Sequence, residues 1–294
     1  MTKSFENRDG WIWMNGNFIE WKNAKSHIIS QGLHYASAVF EGERAYRGKI
    51  FKSKEHTKRF FKSAKIIGIK IPFSEEQINE AKDSLIKKMN YTDCYVRPLA
   101  WRGGKIMGLS TTNSDINVAI AVWDDWASYF KIEDRKAGLR LITSPWKRPA
   151  PNTAPYEAKA SGPYIICTMS KEFAESKGFH DALMLDYRGY VAEGTGANIF
   201  FIKDNDIHTP IPDCFLNGIT RQTVIEMATN QGFKITERHI MPDEMKKYDE
   251  AFLTGTAAEI TPIRSIDDLN FTIGDHTTTF KFMRDFSDLV NRSN

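Results

Sequence analysis

Four prolines, Pro145, Pro149, Pro151 and Pro155, crowd the middle of this 294-residue chain. Proline fixes φ and removes a backbone donor, so neither a helix nor an interior strand can run through such a stretch. Regular structure must end before it and restart after it. Tyr156-Glu-Ala-Lys159 therefore emerges from a stiff, irregular segment. Apolar residues follow at Tyr164, Ile165, Ile166, Met169 and Phe173, and their spacing predicts a helix over 160–177, closed by Gly178.

Short strands and turns dominate the part before the prolines. Trp11–Met14 and Phe18–Trp21 flank Asn15-Gly16, and Arg44–Tyr46 and Lys49–Lys52 flank Arg47-Gly48, two hairpin patterns. Phe60, Phe61, Ala64 and Ile67 give helical spacing over 54–68. Ser74-Glu-Glu-Gln77 is a capping box opening a helix to Asn90. Strands are predicted over Cys94–Trp101 and Ile116–Trp123. The polar, aromatic run 124–136 lacks strand periodicity and reads as a connection. Beyond it, strands are predicted over Leu139–Thr143, Ala182–Asp186, Ile199–Ile202, Ile207–Thr209, Lys234–Arg238 and Glu250–Thr254, with a helix over Ile219–Asn230. Strands with interspersed helices make an α+β protein of two domains.

Composition narrows the partners. Forty basic against 37 acidic side chains leave a net charge of +3, too small an excess to argue for nucleic acid or an anionic membrane. The basic run 52–65 reads as a solvated helix face. Cys94, Cys167 and Cys214 lack CxxC spacing, which argues against a disulfide framework and a zinc site; no metal is expected. The polar start MTKSFENRDG has no signal-peptide pattern and no apolar run approaches membrane-helix length, so a cytoplasmic protein is expected.

Four pieces carry chemistry. Lys159, pinned after the prolines and beside an apolar helix, is a candidate desolvated amine, although most lone lysines are solvated. In Val191-Ala-Glu193-Gly-Thr-Gly-Ala-Asn198, a carboxylate sits between a strand and a Gly-rich turn; a plain hairpin with a solvated Glu would look the same. Leu216-Asn-Gly218-Ile219-Thr220-Arg221 places a glycine before a helix N-terminus, which can hold an anion but is common among helices. Leu253-Thr-Gly255-Thr256-Ala-Ala-Glu-Ile260 runs from a strand into a small-residue turn, a second anion cradle or an ordinary tight turn.

Together these pieces resemble the branched-chain aminotransferases, within the fold-type IV pyridoxal-phosphate enzymes. Glu193-x-Thr195-x-x-Asn198-Ile-Phe, Ile207-x-Thr209 and Leu216-x-Gly218-Ile219-x-Arg221 match the family signature, and similarity runs from about Trp11 to Asp267. The resemblance implies a D-amino-acid-aminotransferase-like fold: a small α/β domain (1–123), an interdomain loop (124–136) and a larger, β-barrel-like cofactor-binding domain (137–294). It implies pyridoxal 5′-phosphate, with Lys159 as the Schiff-base lysine, Glu193 on the pyridine nitrogen and Tyr164 on the phenolic oxygen. Arg59, Leu216, Gly218, Ile219, Thr220 and Thr256 are then the phosphate-side residues.

Tyr95-Val-Arg97 on one strand puts Tyr95 and Arg97 on the same face, as in the branched-chain type. Tyr35, Phe40, Gly42, Met107, Leu109, Trp126 and Tyr129 also match that type and are expected to contact substrate, with Thr256 and Ala257 on the α-carboxylate. The expected reaction is reversible amino transfer between L-leucine, L-isoleucine or L-valine and 2-oxoglutarate, in a ping-pong cycle. D-amino-acid transamination, aminodeoxychorismate lysis and a non-catalytic cofactor-binding relative are the alternatives. In the family the Tyr35 region and Leu109 reach a neighbouring subunit, which implies a homodimer or hexamer.

Overall fold

The structure is a computed structural model that describes residues 4–124 and 132–292. Trp126 and Tyr129, two expected substrate contacts, lie outside the described residues. The described chain forms two compact units. One runs to residue 124 and takes in Ala158–Gly162; the other holds the rest.

The first unit contains β1 (Trp11–Met14), β2 (Asn17–Glu20), α1 (Gln31–His34), β3 (Ala38–Phe40), β4 (Glu43–Tyr46) and β5 (Lys49–Ile50). These are followed by α2 (Ser53–Ile66), α3 (Glu75–Met89), β6 (Cys94–Arg102) and β7 (Ile116–Trp123). The strands form an antiparallel sheet in the order β2-β1-β7-β6-β4-β5, with β3 also on β6. Both hairpin turns are present. Asn15 and Gly16 have positive φ, as a two-residue turn matching strand twist requires. The capping box at Ser74 forms, each partner satisfying the other's backbone N–H. Alternation on β6 buries Val96 and Ala100 in a core with Phe60, Ala64, Ile78 and Leu85 of α2 and α3. Tyr95, Arg97 and Leu99 are thereby left on the opposite face.

The second unit contains α4 (Ile132–Ala137), β8 (Leu139–Thr143), α5 (Tyr164–Ser176), β9 (Asp181–Leu185), β10 (Val191–Glu193), β11 (Asn198–Lys203) and β12 (Asp206–Thr209). Then come α6 (Ile219–Asn230), β13 (Lys234–Glu237), β14 (Glu250–Gly255), β15 (Glu259–Ile266), β16 (Leu269–Asn270) and α7 (Thr278–Arg292). Strand β10 pairs with both β9 and β11, so β10-β9-β8-β15-β14-β11 closes into a ring. β12 and β13 extend the sheet beyond the ring from β11, and the ring strands β9 and β11 are almost continuously buried.

Several stretches depart from the sequence expectation, α1, β3 and α4 among them, and three others matter most here. Helix α5 begins at Tyr164, not at residue 160. Ala160 instead bridges Val39, and Ser161 N–H donates to the Ala38 carbonyl, so this piece runs alongside β3. The turn after Gly255 is short and returns at once as β15, which pairs along β14. The C-terminal stretch, to which the sequence assigned nothing, forms α7. It buries Phe282, Phe286 and Val290, and Glu250 accepts from the Thr278 and Thr279 N–H groups at its start.

Candidate active site

In the first unit the chemistry gathers on two faces of one short segment, Phe40 to Glu43. Lys159 is tied to it by its backbone: its carbonyl accepts from Phe40 N–H at 3.0 Å, and its own N–H donates to Ser63 Oγ at 2.9 Å. The half-buried Lys159 side chain then brings Nζ to 4.8 Å from the Phe40 ring centroid. Arg97 lies against the same ring, its Cζ 4.7 Å from the centroid. Two cations on one aromatic ring is an arrangement that sequence alone did not reveal; each contact is favourable through the ring quadrupole. Arg97 Nη2 also donates to the Tyr95 hydroxyl at 3.2 Å. Gly42 makes room for that hydroxyl, since a Cβ at residue 42 would collide with it.

Beyond Arg97 the sheet face opens into a cavity of ≈ 390 Å³ whose walls include Ile12, Met14, Leu33, Leu99 and Trp101. A guanidinium bordering apolar walls suits a ligand with an aliphatic part and an anionic part.

Glu41 and Glu43 point the other way, into the contact with α2 and α3. Glu41 is fully buried. It accepts from Arg59 Nε at 2.7 Å and Nη2 at 2.8 Å, and lies 2.8 Å from His56 Nδ1. Burial by itself would raise its pKa, but the charge and hydrogen bonds of Arg59, with His56, hold it well below the usual carboxylate range. An ionised carboxylate only accepts, so His56 Nδ1 carries the hydrogen. Glu43 pairs with Lys82 at 2.8 Å, both side chains fully buried.

Tyr35, Met107 and Leu109 stand apart from this cluster. All three are exposed, Leu109 at 83%. Gln31 on α1 joins their two segments by donating to the Gly108 and Ser110 carbonyls at 2.8 and 2.9 Å.

In the second unit the expected residues collect at one end of the closed sheet, because strand register sets Glu193, Asn198 and Thr254 side by side. Glu193 is 8% exposed. Asn198 Nδ2 donates to Glu193 Oε2 at 3.1 Å and to the Leu216 carbonyl at 3.0 Å, and Asn198 Oδ1 accepts from Gly218 N–H at 3.1 Å. One amide thus locks the carboxylate to the turn before α6. Gly218 suits that position, for a Cβ would strike Asn198 Oδ1 and displace the amide from its bond to the Gly218 N–H. No side chain caps α6 at Gly218, so the first-turn donors at Ile219 and Thr220 have no such competitor. A Cβ added at Gly255, before Thr256 and Ala257, would lie 3.5 Å from the Gly196 carbonyl, so the two small-residue turns are neighbours.

Arg148, from the proline-rich stretch, is the residue that sequence reasoning missed. Its Nε lies 3.4 Å from Glu193 Oε1, within ion-pair reach but not aligned as a hydrogen bond, and Nη1 approaches Cys167 Sγ at 3.2 Å. Burial disfavours its charge, yet Glu193, with smaller contributions from Cys167 and Tyr164, raises its pKa and keeps it cationic. An arginine in a loop gives no periodic signal, and only the fold identifies its partner.

Taken separately, each unit's donor set fits a part of pyridoxal phosphate: the first offers a backbone-anchored primary amine for the aldehyde carbon, the second a buried carboxylate for the ring nitrogen and a helix N-terminus behind Gly218 for an anionic group. No described helix is long and apolar enough to cross a membrane.

Known proteins agree with this chemistry. Residues 38–266 match the family model described as amino-transferase class IV. A probable branched-chain-amino-acid aminotransferase of Rickettsia bellii is 43% identical over 91% of each chain. The branched-chain-amino-acid aminotransferase of Pseudomonas aeruginosa is 41% identical over 98% of this chain and 95% of its own. Among solved structures, the branched-chain amino acid aminotransferase of Thermoproteus uzoniensis, with norvaline, superposes with a TM-score of 0.91 at 33% identity. It covers 98% of this chain and 96% of its own. The Escherichia coli branched-chain enzyme gives 0.93 at 34% identity, with the same coverage.

Proposed function

The chain belongs to the amino-transferase class IV family, and on that premise we propose that it is a branched-chain amino acid aminotransferase. It moves an amino group reversibly between L-leucine, L-isoleucine or L-valine and 2-oxoglutarate, with pyridoxal phosphate as cofactor. When bound, the cofactor supplies a conjugated, protonated ring that accepts the charge left at the substrate Cα after proton loss.

The chain's own residues divide the remaining work. Lys159 would hold the cofactor through its side-chain amine, and the same amine would serve as the base and acid that moves the proton at the substrate Cα. Glu193 keeps the ring nitrogen protonated, because a buried carboxylate favours the cationic ring. Asn198 and Arg148 orient that carboxylate. Arg59, the turn from Leu216 through Gly218, the first-turn N–H groups of Ile219 and Thr220, and Thr256 hold the phosphate. Tyr164 takes the phenolic oxygen, and the N–H groups of Thr256 and Ala257 take the substrate α-carboxylate.

The observation that carries the substrate choice is the cluster on Phe40. Arg97 and Tyr95 share a sheet face beside apolar walls, so an aliphatic chain and a distal carboxylate can both be served. Tyr35, Gly42, Met107, Leu109, Trp126 and Tyr129 complete the proposed substrate set. The proposal includes self-association into a homodimer or hexamer. It is supported by the large apolar side chains that Ile28, Leu33, Met107 and Leu109 expose. It also includes the cytoplasmic location expected from the sequence. A transamination assay with L-leucine, D-alanine and an aromatic amine, against 2-oxoglutarate and pyruvate, tests the reading. Turnover of D-alanine with pyruvate or 2-oxoglutarate but none of L-leucine refutes it.

A further inference from the structure

We infer that Glu41 is a positioning residue for Arg59, fixing the guanidinium so that it grips a phosphate group. The inference rests on the proposed assignment of Arg59 to the cofactor phosphate.

The geometry is specific. Glu41 is 0% exposed and takes both Nε and Nη2 of Arg59, at 2.7 and 2.8 Å. A guanidinium is planar, and its five N–H groups lie in fixed directions. With the Nε/Nη2 fork held by Glu41, any anion bound by Arg59 meets the Nη1/Nη2 fork, at an orientation that Glu41 dictates. Glu41 is itself held from two sides. Its backbone N–H donates to the Pro98 carbonyl on β6, and His56, one turn before Arg59 on α2, holds the same carboxylate at 2.8 Å. A strand and a helix thus set one side chain from both sides. Adjacent Phe40 contacts Lys159 and Arg97 on the other face, so the same segment positions both groups.

Simple charge counting makes the opposite prediction. An anion beside Arg59 weakens the local positive potential, so its removal should strengthen binding of a phosphate dianion. A purely structural ion pair between sheet and helix would affect stability but not phosphate preference. The sign of the effect therefore separates the three accounts.

The full-length chain, stripped of cofactor, is titrated with pyridoxal 5′-phosphate and with phosphate-free pyridoxal, following cofactor absorbance. Glu41→Gln should weaken pyridoxal phosphate about ten- to hundredfold, the scale of a lost charge-assisted hydrogen bond, and leave pyridoxal unchanged. Glu41→Asp keeps the charge but withdraws it by one methylene; it should fall between wild type and Glu41→Gln, and it carries the test if Glu41→Gln does not fold. In an Arg59→Ala background, Glu41→Gln should add no further loss. An unchanged or improved preference for the phosphorylated form in the Glu41 variants, with Arg59→Ala impaired, overturns the inference alone. If Arg59→Ala itself leaves the preference unchanged, the phosphate assignment falls and the inference falls with it.

Discussion

Arg97 contacts the rings of Phe40 and Tyr95, donates to the Tyr95 hydroxyl at 3.2 Å, and borders an apolar cavity of ≈ 390 Å³. Its replacement by methionine would keep a long apolar stem while removing the charge. Two losses follow. The first is the bond to Tyr95, a neutral-acceptor contact worth about 1 kcal/mol, which affects every substrate alike. The second falls only on glutamate or 2-oxoglutarate, whose distal carboxylate loses a charge-assisted partner worth about 1.5–3 kcal/mol. Leucine has nothing to offer a guanidinium, and a methionine stem gives its side chain additional apolar surface. The glutamate half-reaction should therefore lose about ten- to hundredfold in kcat/KM beyond whatever leucine loses. Stopped-flow measurement of each half-reaction, from the cofactor absorbance, isolates the two. Equal losses would show that Arg97 shapes the site generally or binds the α-carboxylate, and the branched-chain assignment would weaken while the cofactor assignment stood.

Lys159→Ala should abolish the absorbance of lysine-bound cofactor and slow turnover by orders of magnitude; borohydride reduction and peptide mapping of the wild type should place the label on Lys159, and label on another lysine would reject the role. Glu193→Gln should retain cofactor but slow Cα–H cleavage by about a hundredfold, since the buried carboxylate stabilises the protonated ring; unchanged single-turnover rates would exclude it as the ring's partner. All three cysteines are buried, and burial, first among the causes, pushes the thiols of Cys94 and Cys214 up to about 12. At pH 8 iodoacetamide should label none of them in the folded chain and all of them in denaturant, counted by mass spectrometry; rapid labelling of the native chain would contradict the packing.

Local rules made much of the architecture readable. The two positive-φ turns, the reciprocal Ser74–Gln77 cap and the period-two burial of β6 depend on neighbours a few residues apart. The signature around Glu193, Asn198 and Gly218 was legible for a related reason: close backbone approach and a buried carboxylate tolerate few residue types at fixed spacing. Tertiary structure decided what depends on partners distant in sequence. Ala160 pairs with Val39 rather than starting a helix, because an open backbone edge was available there and local propensity was weaker than the gained hydrogen bonds. β15 reads as part of a turn until β14 is beside it, and the ring closes only because β10 meets both β9 and β11. Arg148 finds Glu193 across 45 positions, and Glu41 finds Arg59 from a different element. An ionic partner leaves no periodic trace in a chain, since Coulomb energy depends on distance in space and on burial, and the fold alone sets both.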